Sequence, residues 1–237
     1  MRINLGLTQE HPCSYLEQEQ SRSLMVMDEE LLSPQTYDAL LENGFRRSGD
    51  YVYRPWCNKC KQCHAVRVPV DSFHANRSQR RCLKANQDLQ LIWRPAELSD
   101  EQYALYLAYQ SGRHRGGAMA ESSFEETERF LLASWNDVRF LEMRLDQELV
   151  ALAATDFQPQ SLSAVYTFFK PDMRKRSLGS YAILQQIARA RQLGKRWLYL
   201  GYWIPGSRKM AYKAAFRPIE VRTPLEHMRD EKWVERC

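Results

Sequence analysis

The stretch Trp197–Ile204, WLYLGYWI, is apolar on both faces that a β-strand would present. A run of this kind reads as a buried central strand. The elements around it follow from pattern and punctuation. A helical pattern from about Ser180 to Leu193 precedes it and stops at Gly194. Before that helix, Val138–Met143, Glu148–Asp156 and Ala164–Lys170 read as three strands of an antiparallel meander. Residues 98–111 read as a helix with Ser99 as N-cap and Gln102 at the capping-box position, and residues 123–135 as a second helix with a similar cap. Leu89–Trp93 is a short strand closed by Pro95. After the central strand come a short helix at 207–216 and a last strand at 218–223.

The first third has a different character. Residues 28–43 predict an amphipathic helix that stops at Gly44. Residues 45–54 and 64–73 predict two strands, from the alternation of Tyr51/Tyr53 and of Val66/Val68/Val70. The joining segment is Trp56–His64, WCNKCKQCH. Residues 77–87 form a basic, helical segment. There is no internal repeat. The 237 residues suit one large domain or two small ones, and 44% hydrophobic with 11% aromatic content argues against disorder. A formal net charge of +5 permits a polyanionic partner without demanding one. No basic start leads into an apolar stretch, and no run nears the roughly 20 apolar residues of a membrane span, so a soluble, cytoplasmic protein with no membrane partner is expected. Six cysteines in such a chain point to metal or redox chemistry more than to disulfides.

From residue 88 the order is strand, two helices, three strands, helix, strand, helix, strand. This order is similar to the GNAT superfamily of N-acyltransferases. The expected fold class is α+β: a GNAT-like acyltransferase domain at 88–237, preceded by a small cysteine-bearing α/β domain at 1–87. GNAT enzymes often carry an Arg-x-x-Gly-x-Gly/Ala turn that binds the pyrophosphate of coenzyme A. Here Arg176-x-x-Gly179 matches, but Tyr181 stands at the small-residue position. A helix N-terminus beside Arg174, Lys175 and Arg176 still attracts phosphate. Tyr181 counts against coenzyme A, so a different phosphate-bearing acyl donor is expected.

Longer motifs sharpen this. They are Tyr166-Thr167-Phe168-Phe169-Lys170-Pro171-Asp172, Arg176-Ser177-Leu178-Gly179, Tyr199-Leu200-Gly201-Tyr202-Trp203-Ile204 and Lys209-Met210-x-Tyr212-Lys213-x-x-Phe216-Arg217-Pro218. Nearer the start are His11-Pro12-Cys13-Ser14-Tyr15-Leu16, Gly44-Phe45-Arg46-Arg47-Ser48-Gly49, Tyr53-Arg54-Pro55-x-Cys57-x-x-Cys60-x-x-Cys63 and Ser78-Gln79-Arg80-Arg81. Together they resemble the aminoacyl-tRNA–protein transferase family over essentially the whole chain, in its compact bacterial branch. The resemblance implies an enzyme that moves leucine from leucyl-tRNA to the N-terminal Asp or Glu of a protein. The product then enters the N-degron degradation route. Arginyl transfer is the alternative for the donor.

That reaction is aminolysis of an ester. An α-amine with a pKa of roughly 7.7–8.0 is partly neutral near pH 7. Positioning and oxyanion stabilisation are then the main demands, and no covalent enzyme intermediate is required. Tyr166, Tyr202, Lys209 and Tyr212 are the expected donors or proton-relay groups. An acidic N-terminal side chain calls for a cationic pocket, with Arg54, Arg67, Arg113 and His114 as candidates. Arg77, Arg80, Arg81 and Lys84 share one helical face and are expected to meet tRNA phosphates. Arg174, Lys175, Arg176 and Gly179 are expected at the 3′ end of the tRNA.

Cys57-x-x-Cys60-x-x-Cys63 has a metal-type spacing. Cys13 is the first candidate for a fourth ligand and His64 the second. Zinc and an iron–sulfur cluster both suit such a set. Cys82 and Cys237 read as incidental. Two other functions are open to parts of the sequence: a coenzyme A-dependent GNAT N-acetyltransferase, and a non-catalytic zinc-knuckle RNA-binding protein.

Overall fold

In the computed structural model, which describes residues 2–113, 122–225 and 227–236, the segment Trp197–Trp203 is a strand with neighbours on both edges. The strands in chain order are β1 (Leu5–Leu7), β2 (His11–Pro12), β3 (Gln20–Ser21), β4 (Ser23–Val26), β5 (Arg46–Ser48), β6 (Tyr51–Pro55) and β7 (His64–Pro69). There follow β8 (Gln90–Pro95), β9 (Val138–Leu145), β10 (Glu148–Phe157), β11 (Ser161–Phe169), β12 (Trp197–Trp203), β13 (Ile219–Arg222) and β14 (Trp233–Arg236). The helices are α1 (Pro34–Glu42), α2 (Arg77–Ala85), α3 (Asp100–Arg113), α4 (Phe124–Leu131) and α5 (Leu178–Gln192). Among the described residues no helix is long and apolar enough to cross a membrane.

An eight-stranded sheet runs β14-β13-β7-β12-β11-β10-β9-β8. The apolar run at 197–204 therefore sits at its centre, as its composition requires. The pairing of β11 with β12 is parallel, and β12 pairs antiparallel with β7. Leu162, Leu198, Leu200, Ile183, Ile187 and Val68 pack one part of the core around α5. Tyr106, Leu131, Phe140, Leu152 and Phe168 fill the part under α3 and α4. The predicted strand–helix–helix–meander–helix–strand order is present, so the fold is α+β.

A second sheet, β1-β4-β6-β5, carries the N-terminal segment. The cysteine run joins β6 in this sheet to β7 in the larger one. A division of the chain at residue 87 therefore crosses the large sheet, which takes β7 from the earlier residues.

Local chemistry explains the boundaries. Ser33 caps α1 by accepting from the Thr36 amide, and Gly44 ends the turn beyond it at φ +79°. The Ser99–Gln102 capping box at α3 is present in both directions, the Gln102 amide donating at 3.4 Å and the Ser99 amide at 3.0 Å. The helix predicted at 123–135 is shorter, because Arg47 draws the carbonyls of Leu131 and Leu132 out of line with 2.8 and 3.1 Å bonds. The strand predicted at 45–54 is two. Gly49, at φ +59°, turns β5 into β6 with Ser48 opposite Tyr51. The segment predicted as a helix at 207–216 holds only a short 3-10 turn, Ala211–Ala215.

Candidate active site at the parting of two strands

Strands β11 and β12 pair only through Ser161–Ser163 and Trp197–Tyr199. Beyond that point they diverge. Each carries an irregularity there: the β10–β11 register shifts around Val165, and the β12–β7 register shifts between Tyr199 and Gly201. Extra residues bend strands and open sheets locally. Gly201 adopts φ +75°, a conformation that favours glycine.

Arg46 fills the gap. Its Nη2 donates to the Val165 carbonyl and, at 3.5 Å, to that of Ala164. Its Nη1 lies over Gly201, where an added Cβ would be 1.8 Å away. The β5 pleat sets this aim, because successive side chains leave a strand on opposite faces. Arg47 points the other way. It is 2% exposed and holds Asp156 through Nε at 2.9 Å and Nη2 at 2.6 Å.

Phenols gather around Arg46: Tyr53, Tyr37, Tyr212 and Tyr202 all lie within electrostatic reach of it. Of the predicted catalytic tyrosines, Tyr202 and Tyr212 are in this group, while Tyr166 follows Val165, whose carbonyl Arg46 bonds; their hydrogen-bond states differ. The Tyr166 hydroxyl accepts from Gln110 Nε2 at 3.2 Å, which leaves its own hydrogen for another acceptor. Burial, then neighbouring Tyr109, pushes this phenol well above its ordinary pKa, so it stays protonated. The Tyr202 hydroxyl instead donates to the carbonyls of Gly44 (3.0 Å) and Tyr53 (3.2 Å), so it ties β12 to the N-terminal sheet. Tyr212 is 48% exposed, and its phenol is raised by burial against the opposing charge of Arg46. Lys209 lies exposed on the surface. The lysine that reaches inward is Lys213, 5% exposed, whose Nζ donates to the Tyr202 carbonyl. Burial, and then Arg46, holds its amine well below the ordinary lysine range.

The candidates for an acidic pocket are dispersed. Arg54 is 3% exposed and bound by Glu231 at 2.8 and 2.9 Å. Arg67 is paired with Glu42 and Glu220 and packed between Trp197 and Trp233, 3.7 and 4.1 Å from the ring centroids. Neither offers a free guanidinium. Arg113 is exposed and leans on the Phe169 ring at 5.1 Å. His114 and Cys237 lie outside the described residues.

The two basic segments, far apart in sequence, meet in space. Arg77, Arg80, Arg81 and Lys84 are all exposed on α2, whose buried Gln79 donates to the Ala215 carbonyl at 3.0 Å. Arg174 and Lys175 are exposed in the turn Pro171–Arg176. Arg176 bonds the Ala85 carbonyl at 3.2 Å and pairs with Asp88 at 2.7 Å. Gly179 faces Phe169, and Tyr181 is buried with its hydroxyl on the Asn86 carbonyl at 3.1 Å. The tyrosine that departs from the coenzyme A pattern thus pins α5 to the end of α2.

Cys13, Cys57, Cys60 and Cys63 lie in one neighbourhood. The Cys63 thiol is pushed up to about 12 by burial first and then by Cys57, Cys13 and Cys60. Among the described residues no three His, Cys, Asp or Glu groups stand at ready ligand spacing. The donor chemistry nevertheless suits a tetrahedral thiolate site. His64 is held elsewhere: its Nδ1 is 3.0 Å from Thr223 Oγ1, and burial and Arg236 lower its pKa. Cys82 stands apart and donates weakly to the Arg176 and Ser177 carbonyls.

Sequence reasoning missed Arg46, Lys213, Gln110 and Gly201. The Ser48-Gly49-Asp50 turn signal was the clue to β5, and with it to the aim of Arg46.

Residues 101–223 match the family model described as "Arginine-tRNA-protein transferase, C terminus", and residues 11–81 match its "N terminus" counterpart. An "Aspartate/glutamate leucyltransferase" of Pseudomonas paraeruginosa is 47% identical over 220 residues, covering 93% of this chain and 94% of the relative. Two solved structures share the fold. One is the C-terminal domain of a putative lysylphosphatidylglycerol synthetase from Agrobacterium fabrum, with a TM-score of 0.53, 16% identity, and coverage of 69% of this chain and 59% of that one. The other is FemX, with a TM-score of 0.51, 9% identity, and coverage of 90% and 85%. The likeness to these two structures is one of fold alone, and the chain belongs to the arginine-tRNA-protein transferase family.

Proposed function

We propose that this aminoacyltransferase moves leucine from leucyl-tRNA to the N-terminal Asp or Glu of acceptor proteins, marking them for N-degron degradation in the cytoplasm. The observation that carries this reading is the parting of β11 and β12, with Arg46 and a Tyr166 hydroxyl free to donate at its edge. The α-amine of the acceptor attacks the ester carbonyl of leucyl-tRNA. A C–N bond forms, the ester C–O bond breaks, and the released tRNA hydroxyl takes up a proton as the amine gives one up. Tyr166, protonated and with its hydrogen available, donates to the oxyanion that develops. Tyr202 positions the strand, and Tyr212 covers the exposed side.

The joined basic surface of α2 and the turn before α5 serves the tRNA. Arg77, Arg80, Arg81 and Lys84 meet duplex phosphates, and Arg174 and Lys175 lie toward the 3′ end. Cys13, Cys57, Cys60 and Cys63 would hold zinc or an iron–sulfur cluster. Either group would fix the crossover between the two sheets, and the engagement of His64 by Thr223 favours Cys13 as the fourth ligand. The experiment is single-turnover transfer from labelled leucyl-tRNA in the wild type and in Tyr166→Phe. The reading expects a loss of about 10²-fold or more in rate, the magnitude seen when one oxyanion donor is removed. A wild-type rate in Tyr166→Phe would remove Tyr166 from the chemistry.

A further inference from the structure

We infer that Arg46 is the receptor for the acidic side chain of the acceptor's first residue, and so sets the specificity of the site; this rests on the reading of the enzyme as an Asp/Glu-directed transferase. The case begins with charge. Arg47, Arg54, Arg67, Arg144 and Arg222 each have a carboxylate partner. Arg46 is half-buried and has none among the described residues. Asp156 feels its charge, but both oxygens of Asp156 are held by Arg47. A cation taken from water without a counter-ion is costly, and a carboxylate placed beside it removes that cost.

Donor count agrees. Arg46 bonds the Val165 and Ala164 carbonyls through Nη2 only. Its Nε and Nη1 donate to no described protein group. Nε and Nη1 lie on different sides of the guanidinium, so each can give a carboxylate oxygen a single charge-assisted hydrogen bond. Position agrees as well. In an N-terminal Asp or Glu the carboxylate is one or two methylenes from the carbon that bears the attacking amine. Its receptor must then stand beside the acyl centre. Arg46 is bound to the Val165 carbonyl, and Tyr166 is the next residue. Gly201 makes room for this, because a Cβ there would meet the Arg46 guanidinium. A tRNA phosphate would suit one guanidinium too, but the surroundings are phenols, whereas the exposed cations that phosphates draw lie on α2 and at 174–175.

The test compares peptides beginning with Asp and Asn, which differ in charge and little in shape. Wild-type protein without tRNA should bind the Asp peptide at least about tenfold more tightly, as a single charge-assisted contact of about 1.4 kcal/mol or more requires. In Arg46→Gln that ratio should fall toward one, with Asn-peptide binding and tRNA affinity within about twofold of wild type. Retention of the wild-type Asp-to-Asn ratio by Arg46→Gln would overturn the proposal. So would a loss of tRNA affinity at an unchanged ratio, the sign of a phosphate ligand. Should Arg46→Gln not fold, the Arg46 Nε resonance of labelled wild-type protein serves instead. It should shift saturably with the Asp peptide and not with the Asn peptide, and equal responses would count against Arg46. Because binding is read without a donor, failure of leucyl transfer and failure of this inference give different results.

Discussion

The Arg46 guanidinium occupies the space above Gly201 that any other side chain at that position would need, with Nη1 1.8 Å from the place of a Cβ. Gly201 also holds φ +75°. The Gly201→Ala substitution therefore meets both a strained backbone and a displaced cation. We expect a loss of about 1–3 kcal/mol in unfolding free energy, read by chemical denaturation. The same variant should lose affinity for acidic acceptor peptides. Unchanged stability and unchanged peptide affinity would separate Gly201 from Arg46.

Lys213 gives a pH signature. Its amine titrates near 10.5 in the unfolded chain and well below that when folded. Between the two values the unfolded chain binds more protons, so stability rises with pH through that window. Lys213→Met removes the proton-linked part. The stability of the variant minus that of wild type should fall by about 1.4 kcal/mol per pH unit as pH climbs toward 10.5. Denaturant melts at a series of pH values measure it, and a difference independent of pH would show that Lys213 is charged in the fold.

The basic surface predicts a salt effect. Replacing Arg77, Arg80, Arg81 and Lys84 with Gln should lower the slope of log affinity for tRNA against log salt by just under one unit for each phosphate that no longer meets a cation. Binding titrations at several salt concentrations read the slope. The wild-type slope in the fourfold variant would place the tRNA elsewhere.

The cysteines separate by role. Cys63→Ser should lose bound metal, by elemental analysis of purified protein, and should lower the melting temperature. Cys82→Ser, which alters a thiol outside the cluster, should keep both. Equal metal content in the two variants would dissolve the assignment of Cys13, Cys57, Cys60 and Cys63 as ligands.

Much of the scaffold was legible because it is written in local patterns. The apolar run at 197–204, the capping residues Ser99 and Ser123, and Gly44 and Gly194 all act within a few residues of themselves. The site was less legible because long-range pairing decides it. Arg46 and Arg47 are adjacent and identical in type. Only the pleat of β5 and the place of Asp156, 109 residues from Arg47, make one a buried tie and leave the other without a carboxylate among the described residues. Lys209 and Lys213 stand in the same motif, and burial alone distinguishes them. Arg54 and Arg67 look free in sequence because their partners, Glu231 and Glu220, come from the far end of the chain. Strand β14 was missed since Trp233–Arg236 is only four residues long and mostly exposed, and pairing with β13 holds it in place.

The most direct test of the central claim is transfer of labelled leucine from charged tRNA to four peptides that differ only in their first residue: Asp, Glu, Arg or Lys. The account predicts transfer to the Asp and Glu peptides and none above background to the Arg and Lys peptides. Absence of transfer to the acidic peptides, or equal transfer to all four, would contradict it.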